Sequence, residues 1–353
     1  MSDLSMDMDA MTGFLVDLLN TPSPTGYHRE VMAFTREAFT DLEMPGLTIE
    51  TTTKGALLLT LKGDSDKAPV GITAHVDTLG LMVKEIKANG RLKCTRLGSL
   101  LWNGVESEGV TVRTHDDRRY RGSITLANTS VHVNRRASSA DRDDESMEIR
   151  LDARTSSKSE TDALGIGVGD FVFIDPRVEV TDTGFIRGRF LDDKAGVAAI
   201  YGALKAIKAS AQNPPNDVYI LISNYEEVGH GGSAGFPDHL VELLSVDMGA
   251  IGSGQAGDEY SVSICVKDGG GPYHFDMNNK LRRLAETFDI DYKVDIYVYY
   301  ASDGTAYWRA GGGARVGLAG PGVDGSHSYE RTHKDAIRHS AHLLARYMLD
   351  SDV

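Results

Sequence analysis

Apolar residues at helical spacing mark the start of the chain. Met11, Phe14, Leu15 and Leu18 recur at intervals of three and four residues, so they share one face of a helix. The segment 21–26, Thr-Pro-Ser-Pro-Thr-Gly, interrupts this pattern because proline and glycine disfavour helix continuation. A second amphipathic segment follows it, and the sequence therefore predicts two N-terminal helices.

Continuous apolar runs then predict buried strands. The runs at 69–74 and 218–224 lack polar alternation, which is typical of strands covered on both faces. The remaining pattern predicts further strands near 47–53, 56–61, 245–252, 261–266, 292–299 and 315–319, and helices from 192 onwards and near 237–244, 277–288, 305–310 and 334–349. Strands that alternate with helices predict an α/β fold with a mostly parallel sheet and helices on both faces.

The pattern changes between residues 82 and 182. This stretch has short strand-like pieces, many glycines and little helical periodicity, which predicts a small all-β unit inserted into the α/β domain. We therefore expect the α/β domain to comprise residues 1–81 and 183–353, with the inserted domain at 82–182.

Composition narrows the possible partners. Lys and Arg total 37 against 51 Asp and Glu, a formal charge of −14, which argues against nucleic acid and anionic membrane surfaces as partners. The two cysteines form no paired motif, the first residues are acidic, and no apolar run has the roughly 18 residues of a membrane span. We expect a cytoplasmic protein.

Polar residues follow the two buried strands directly. His75 and Asp77 end the first strand, and because residues two apart in a strand point the same way, His75 can bind a metal while Asp77 orients it. A surface ion pair would explain these two residues equally well. Glu226 and Glu227 end the second strand, and neighbouring buried acids require a cation or a shared proton.

Three further residues have side chains that can ligate metals, and they too lie at strand ends or tight turns. Asp192 begins a predicted helix, Asp247 lies in an apolar strand, and His327 lies in a glycine-flanked loop. The alternatives are a helix cap, a carboxylate bonded to loop backbone and an ordinary loop histidine. Because strand ends converge on one crevice in open α/β sheets, the set predicts a site there. Nitrogen and oxygen ligands without thiolates favour zinc, cobalt or manganese.

These motifs, in this order, resemble the glutamyl aminopeptidase family of co-catalytic metallopeptidases, which includes the tetrahedral and deblocking aminopeptidases and the protein once called cellulase M. The resemblance runs from the Pro-Ser-Pro-Thr-Gly segment at 22–26 to the last helix. It implies a zinc-exopeptidase-like fold, an inserted β-barrel for dimerisation, and dimers that assemble into a dodecamer. It also implies an exopeptidase that binds the free amine of short peptides.

The resemblance assigns each candidate residue a role in a site with two divalent metal ions. It implies that the general base deprotonates a metal-bound water and that the resulting hydroxide attacks the amide carbonyl. The roles are a ligand set for one ion (His75, Asp247), a bridging carboxylate (Asp192), a ligand set for the other ion (Glu227, His327), a supporting acid (Asp77) and the general base (Glu226).

Two segments depart from the usual family pattern. The segment 300–308 lacks the Gly-Gly-Thr-Asp form, and 329–333 replaces the proline that usually follows the last His-Ser. We expect both to line the substrate pocket. Roles for His230 and Asp303 stay open, and His333 is either a pocket residue or the cap of the last helix.

Other activities fit parts of the pattern. An amidohydrolase or carboxypeptidase acting on acylated amino acids, or on a dipeptide-like osmolyte, would use a similar metal site. A non-catalytic oligomeric scaffold would not need every ligand type. A glycosidase is disfavoured, because its two carboxyls flank a sugar roughly 5–9.5 Å apart and are not sequence neighbours.

Overall fold

The computed structural model describes residues 4–353. Its helices are α1 (Met8–Asn20), α2 (Arg29–Thr40), α3 (Trp102–Val105), α4 (Lys158–Ala163), α5 (Leu191–Ser210), α6 (Phe275–Thr287), α7 (Asp303–Arg309) and α8 (Lys334–Met348). Its strands are β1 (Leu47–Thr51), β2 (Leu57–Leu61), β3 (Val70–His75), β4 (Gly80–Ile86), β5 (Leu92–Leu97), β6 (Gly109–Arg113), β7 (Arg119–Leu126), β8 (Met147–Leu151), β9 (Phe171–Ile174), β10 (Glu179–Val180), β11 (Phe185–Gly188), β12 (Val218–Ser223), β13 (Glu242–Val246), β14 (Gly249–Ala250), β15 (Val262–Asp268), β16 (Gly271–Pro272), β17 (Tyr292–Ile296), β18 (Arg315–Val323) and β19 (Glu330–His333).

A ten-stranded sheet forms the α/β domain. Its order is β1-β2-β12-β3-β13-β18-β15-β16, with β14 beside β18 and β17 beside β15. The four central strands β12, β3, β13 and β18 are parallel to one another, whereas β1, β2 and β15 join as antiparallel partners. The predicted α/β class and its mostly parallel centre are confirmed.

Helices cover both faces of this sheet. Leu243 and Leu244, adjacent in β13, are both fully buried but belong to different hydrophobic clusters, because successive strand residues point to opposite faces. Helices α5 and α8 pack on one face and α7 on the other. The central strands are thus buried on both sides, as their continuous apolar runs predicted.

The inserted unit is a closed six-stranded barrel. Its strands follow the order β4-β5-β8-β7-β6-β9 with antiparallel pairing, and they enclose a hydrophobic cluster of their own. The barrel confirms the predicted inserted β-domain, while the boundaries at 82 and 182 stay a prediction. A separate three-stranded sheet, β10-β11-β19, joins two strands that follow the barrel in sequence to β19, which precedes the last helix. No helix within residues 4–353 has the length and apolar character to cross a membrane.

One predicted helix is wrong. Residues 237–244 form turns followed by strand β13, which begins at Glu242. The Leu243–Val246 run is inserted between β3 and β18, where its backbone completes two parallel ladders. Tertiary pairing outweighs helix propensity in so short an apolar run.

Candidate metal centre

The candidate residues converge at the carboxyl ends of the central parallel strands. His75 ends β3, Glu226 and Glu227 follow β12, and Asp247 follows β13. Asp192 arrives from the first turn of α5. The structure therefore brings these residues together at one crevice, which is where open α/β sheets bind ligands.

Asp192 lies between two histidines. Its Oδ1 is 3.3 Å from Nε2 of His75, and its Oδ2 is 3.5 Å from Nε2 of His327. The first residues of α5 have non-helical backbone angles, and the cap position is taken by Phe190, which makes no side-chain cap bond. The two carboxylate oxygens of Asp192 therefore face different imidazoles, an arrangement that helix capping does not explain.

The adjacent glutamates face different histidines as well. Glu226 Oε2 is 3.6 Å from Nε2 of His75, whereas Glu227 Oε2 is 3.7 Å from Nε2 of His327. Tyr225, just before them, has a left-handed backbone with φ of 66°, and a short 3-10 turn follows. This turn directs the two carboxylates to different histidines. Neighbouring residues in a regular strand would likewise point to opposite faces.

Left-handed backbone recurs at the other two connections to the site. Phe190, before Asp192, has φ of 75°, and His327 itself has φ of 65°. Non-glycine residues rarely adopt this region and are concentrated at functional sites, where the surrounding fold holds them in place. All three turns therefore keep a costly local geometry that aims side chains at one point.

Asp77 is fully buried beneath the two glutamates. Its carboxylate accepts hydrogen bonds from the backbone N–H of Glu226 at 3.1 Å and of Glu227 at 3.4 Å, and from the Thr25 hydroxyl at 2.7 Å. Its main-chain carbonyl, 3.0 Å from His75 Nδ1, is closer to the imidazole than its carboxylate at 3.6 Å. Asp77 therefore fixes the glutamate turn with its side chain and the imidazole with its backbone.

Asp247 joins His75 and Asp192 on one side of the site. One ligand atom from each of these three buried residues lies within 4.8 Å of the others. Asp247 Oδ1 also accepts a hydrogen bond from the Met248 N–H at 2.7 Å. One oxygen of Asp247 is thus bonded to the loop backbone, as the alternative explanation expected. Its second oxygen stays available to bind a metal ion.

The electrostatics favour bound cations. Burial, reinforced by the neighbouring acid Asp192, raises the pKa of Asp247 to about 8 and that of Glu227 well above its usual range. Burial opposes charge on His75, yet Asp192 and Glu226 raise its pKa well above the usual value. Acids crowded in this way either hold protons or hold a cation.

The donor set fits such a cation. His75 Nε2, with 1% of the residue exposed, has no hydrogen-bond partner among the described residues, although it points at the carboxylates. Two imidazoles and several carboxylates without a thiolate match zinc, cobalt and manganese. An unsatisfied buried nitrogen is costly, so a ligand there would remove the penalty.

Glu330 is a site residue that the sequence analysis missed. Its buried carboxylate accepts hydrogen bonds from the backbone N–H groups of Leu191 at 2.6 Å, Asp192 at 3.2 Å and His327 at 3.1 Å. Burial, with the nearby Asp192 charge, raises its pKa to about 8. One carboxylate thus fixes two elements that are distant in sequence, and an acid three residues after His327 was the available signal.

The three residues whose roles the sequence left undecided lie in different environments. Asp303 is buried beside the site and accepts hydrogen bonds from Thr73 at 3.0 Å, from Ser223 and from the backbone of Gly232 at 2.6 Å. His230 is exposed and stacks on a tyrosine ring. His333 caps α8, as the alternative interpretation expected.

A cleft of about 930 Å³ opens above the carboxylates. The segment 300–306 contributes to its wall, as expected, but 329–333 does not. Residues 330–333 form β19 against β11, and the Tyr329 hydroxyl donates to the Arg177 carbonyl at 2.8 Å instead. The expectation that both unusual segments line the pocket is therefore half correct, because strand pairing turns the second one away.

Comparison with known proteins agrees with this geometry. The sequence pattern of the M42 glutamyl aminopeptidase family matches residues 55–343. The chain belongs to this family. It is also 48% identical over 332 residues to a Bacillus subtilis (strain 168) protein named "Putative aminopeptidase YhfE", covering 94% of this chain and 95% of that one. Family membership makes the protein a metal-dependent aminopeptidase.

Solved structures share the fold. An aminopeptidase from the archaeon Desulfurococcus kamchatkensis has a TM-score of 0.85 at 23% identity, covering 97% of this chain and 95% of that one. The TET1 peptidase of Pyrococcus horikoshii, which assembles into a tetrahedron or a large octahedral shell, has a TM-score of 0.83 at 20% identity, covering 96% and 99%. Both align over the barrel as well as the α/β domain.

Proposed function

We propose that this M42 family member removes N-terminal residues from short peptides with a pair of divalent metal ions, zinc or cobalt by preference and manganese as an alternative. The observation that carries the proposal is the placement of Asp192, whose two oxygens face His75 at 3.3 Å and His327 at 3.5 Å. A carboxylate that faces two separate imidazoles is suited to bridge two cations.

The residues divide into two ligand sets around this bridge. His75 and Asp247 would hold one ion, Glu227 and His327 would hold the other, and Asp192 would contribute to both. Such a pair, when bound, polarises the scissile carbonyl and lowers the pKa of water. Asp77 would fix the position of one ligand set relative to the other, because its carboxylate holds the backbone of the glutamate turn and its carbonyl faces His75.

Glu226 is proposed as the general base. Its side chain is 13% exposed and lines the cleft, whereas that of Glu227 is 4% exposed. Burial first, and then the charges of Asp247 and Asp303, raise its pKa well above the usual range. A carboxylate of raised basicity can take a proton from the attacking water and pass it to the leaving amine.

The acidic floor of the cleft supports an aminopeptidase over a carboxypeptidase. Two divalent ions would balance Asp192, Glu226, Glu227 and Asp247, which line the cleft, and the buried Asp77 and Asp303 beside them would leave the floor negative toward the free ammonium of a peptide N-terminus. An acylated amino acid has no such charge to offer. The amidohydrolase alternative would require a site that accepts a neutral acyl group in the same place.

Blocking the substrate amine tests this assignment. We expect Leu-Gly-Gly to be hydrolysed and N-acetyl-Leu-Gly-Gly to be cleaved at least about 100-fold more slowly, because the blocked peptide loses a charge-assisted interaction and its proximity to the base. Chromatography of the products measures both rates under identical metal loading. Equal rates on the two peptides would favour the amidohydrolase or carboxypeptidase reading instead.

Self-association is proposed from the fold. The related TET1 peptidase assembles into closed shells, and the closed barrel of this chain presents an inserted unit that could contact other copies. We expect dimers that assemble into a dodecamer of 38.2 kDa subunits. Light scattering coupled to size-exclusion chromatography measures the mass, and a monomer at working concentration would contradict the proposal.

A further inference from the structure

The wall of the cleft contains one cationic residue, Arg309, that the proposed mechanism does not use. It is exposed at the end of α7 and is the only lysine or arginine among the described residues that line the cleft. The floor below it contains four carboxylates. This arginine is therefore the one positive side chain of fixed charge that faces a bound substrate.

Arg309 also lacks a structural partner. Across residues 4–353 no carboxylate pairs with its guanidinium, although most arginines of the chain have such a partner. Arg154, which is also exposed, shares this lack of a partner among the described residues, so the feature that distinguishes Arg309 is its position beside the acidic floor. The guanidinium fork is suited to bidentate binding of a carboxylate.

The position along α7 sets the scale of the ligand. Asp303, at the inner end of α7, adjoins the proposed base, because its Oδ1 and the Glu226 backbone nitrogen both lie within 3.0 Å of the position that a Cβ on Gly231 would take. Arg309 is six residues further along the helix, about 9 Å at 1.5 Å per residue. An extended peptide advances roughly 3.3–3.6 Å per residue, so this separation matches a ligand about two to three residues long.

The remaining wall is largely apolar. Leu101, Met248, Val298 and Ala306 line it, and Leu101 and Val298 are exposed by 53% and 61%. A substrate carboxylate placed at this wall would meet apolar and hydroxyl side chains, and Arg309 is the one lysine or arginine among the described residues there that could pair with it. The cleft therefore combines a negative floor for an ammonium group with one positive point on its wall.

We propose that Arg309 binds a carboxylate of the peptide substrate and so selects which short peptides are cleaved. This inference rests on the proposed aminopeptidase function and adds a substrate class to it. The carboxylate comes either from the side chain of an acidic N-terminal residue or from the C-terminus of a dipeptide. Arg309 is a specificity residue here, and proton transfer does not involve it.

Matched substrate pairs separate these sources. Glutamyl-p-nitroanilide and glutaminyl-p-nitroanilide differ only in the side-chain carboxylate, and leucylglycine and leucylglycine amide differ only in the C-terminal one. We expect Arg309→Gln to lower kcat/KM for the charged member of one pair by about 10- to 100-fold, mainly through KM. The neutral members should change by less than about threefold, which also shows that the variant is folded.

Two further variants control for nonspecific effects. Arg309→Lys should retain part of the preference because it keeps the charge but not the fork. Arg154→Gln, which removes the same charge from an exposed site on the barrel, should alter neither pair. An Arg309→Gln variant that leaves both ratios unchanged, or lowers charged and neutral members equally, would overturn the inference. Wild-type protein that cleaves none of the four substrates would instead refute the proposed function, and the inference with it.

Discussion

Replacing Glu226 by glutamine is expected to lower kcat by about 10²- to 10⁴-fold, the range that a general acid–base residue contributes. The amide cannot accept a proton from water or return one to the leaving amine. Because Glu226 is not assigned to either ligand set, the variant should bind metal as the wild type does. Steady-state hydrolysis of leucyl-p-nitroanilide, with metal content measured on the same sample, checks both statements.

Glu227→Gln is the matched comparison, since it makes the same chemical change one residue away. Its side chain faces His327 at 3.7 Å, whereas that of Glu226 faces His75 at 3.6 Å. We expect Glu227→Gln to lose metal and to recover activity when excess metal is added, while Glu226→Gln does not recover. Near-normal turnover of Glu226→Gln would show that another group moves the proton.

Asp192→Asn is expected to abolish the paired metal site. An amide offers one oxygen where the carboxylate offers two, so it cannot face both His75 and His327 as an anionic bridge. Losing several kcal/mol of transition-state stabilisation corresponds to about a 10³-fold fall in turnover or more, at roughly 1.4 kcal/mol for each factor of ten. Bound metal should fall to about one ion per subunit or fewer, as elemental analysis would show.

The folded state should survive this change. Removing this buried charge relieves the repulsion of neighbouring acids but also removes its attraction to His75 and His327, and because the two effects oppose each other we expect no large loss of thermal stability in the metal-free variant. Asp17→Asn, the same substitution at an exposed position of α1, serves as the control and should leave activity and metal content unaltered. Full metal content in Asp192→Asn would contradict the bridging role.

Much of the site could be predicted because its residues interrupt strong local patterns. His75 and the two glutamates stand where buried apolar strands stop, and such strand ends meet at one edge of a parallel sheet. Asp247 stood out as an acid in an apolar strand, and Asp192 as an acid at the start of a predicted helix. The roles of all these residues still depend on the experiments above.

What could not be predicted depends on contacts between distant segments. The spacing of three residues from His327 was the available signal for Glu330, but it does not indicate burial, since only the folded chain places Leu191 and His327 around its carboxylate. The 237–244 segment was mistaken for a helix because the two ladders that β13 completes join it to strands far away in sequence. The sequence does not distinguish Arg309 from other exposed helical arginines, because only the folded structure places it at the cleft.

Titration of metal-free protein tests the central claim most directly. Chelated protein would be refilled stepwise with zinc, cobalt or manganese while bound ions per subunit and hydrolysis of leucyl-p-nitroanilide are measured together. We expect no turnover without metal and full turnover only when two ions are bound per subunit. Full activity of metal-free protein, or full activity at one ion with no further binding, would contradict the two-metal account.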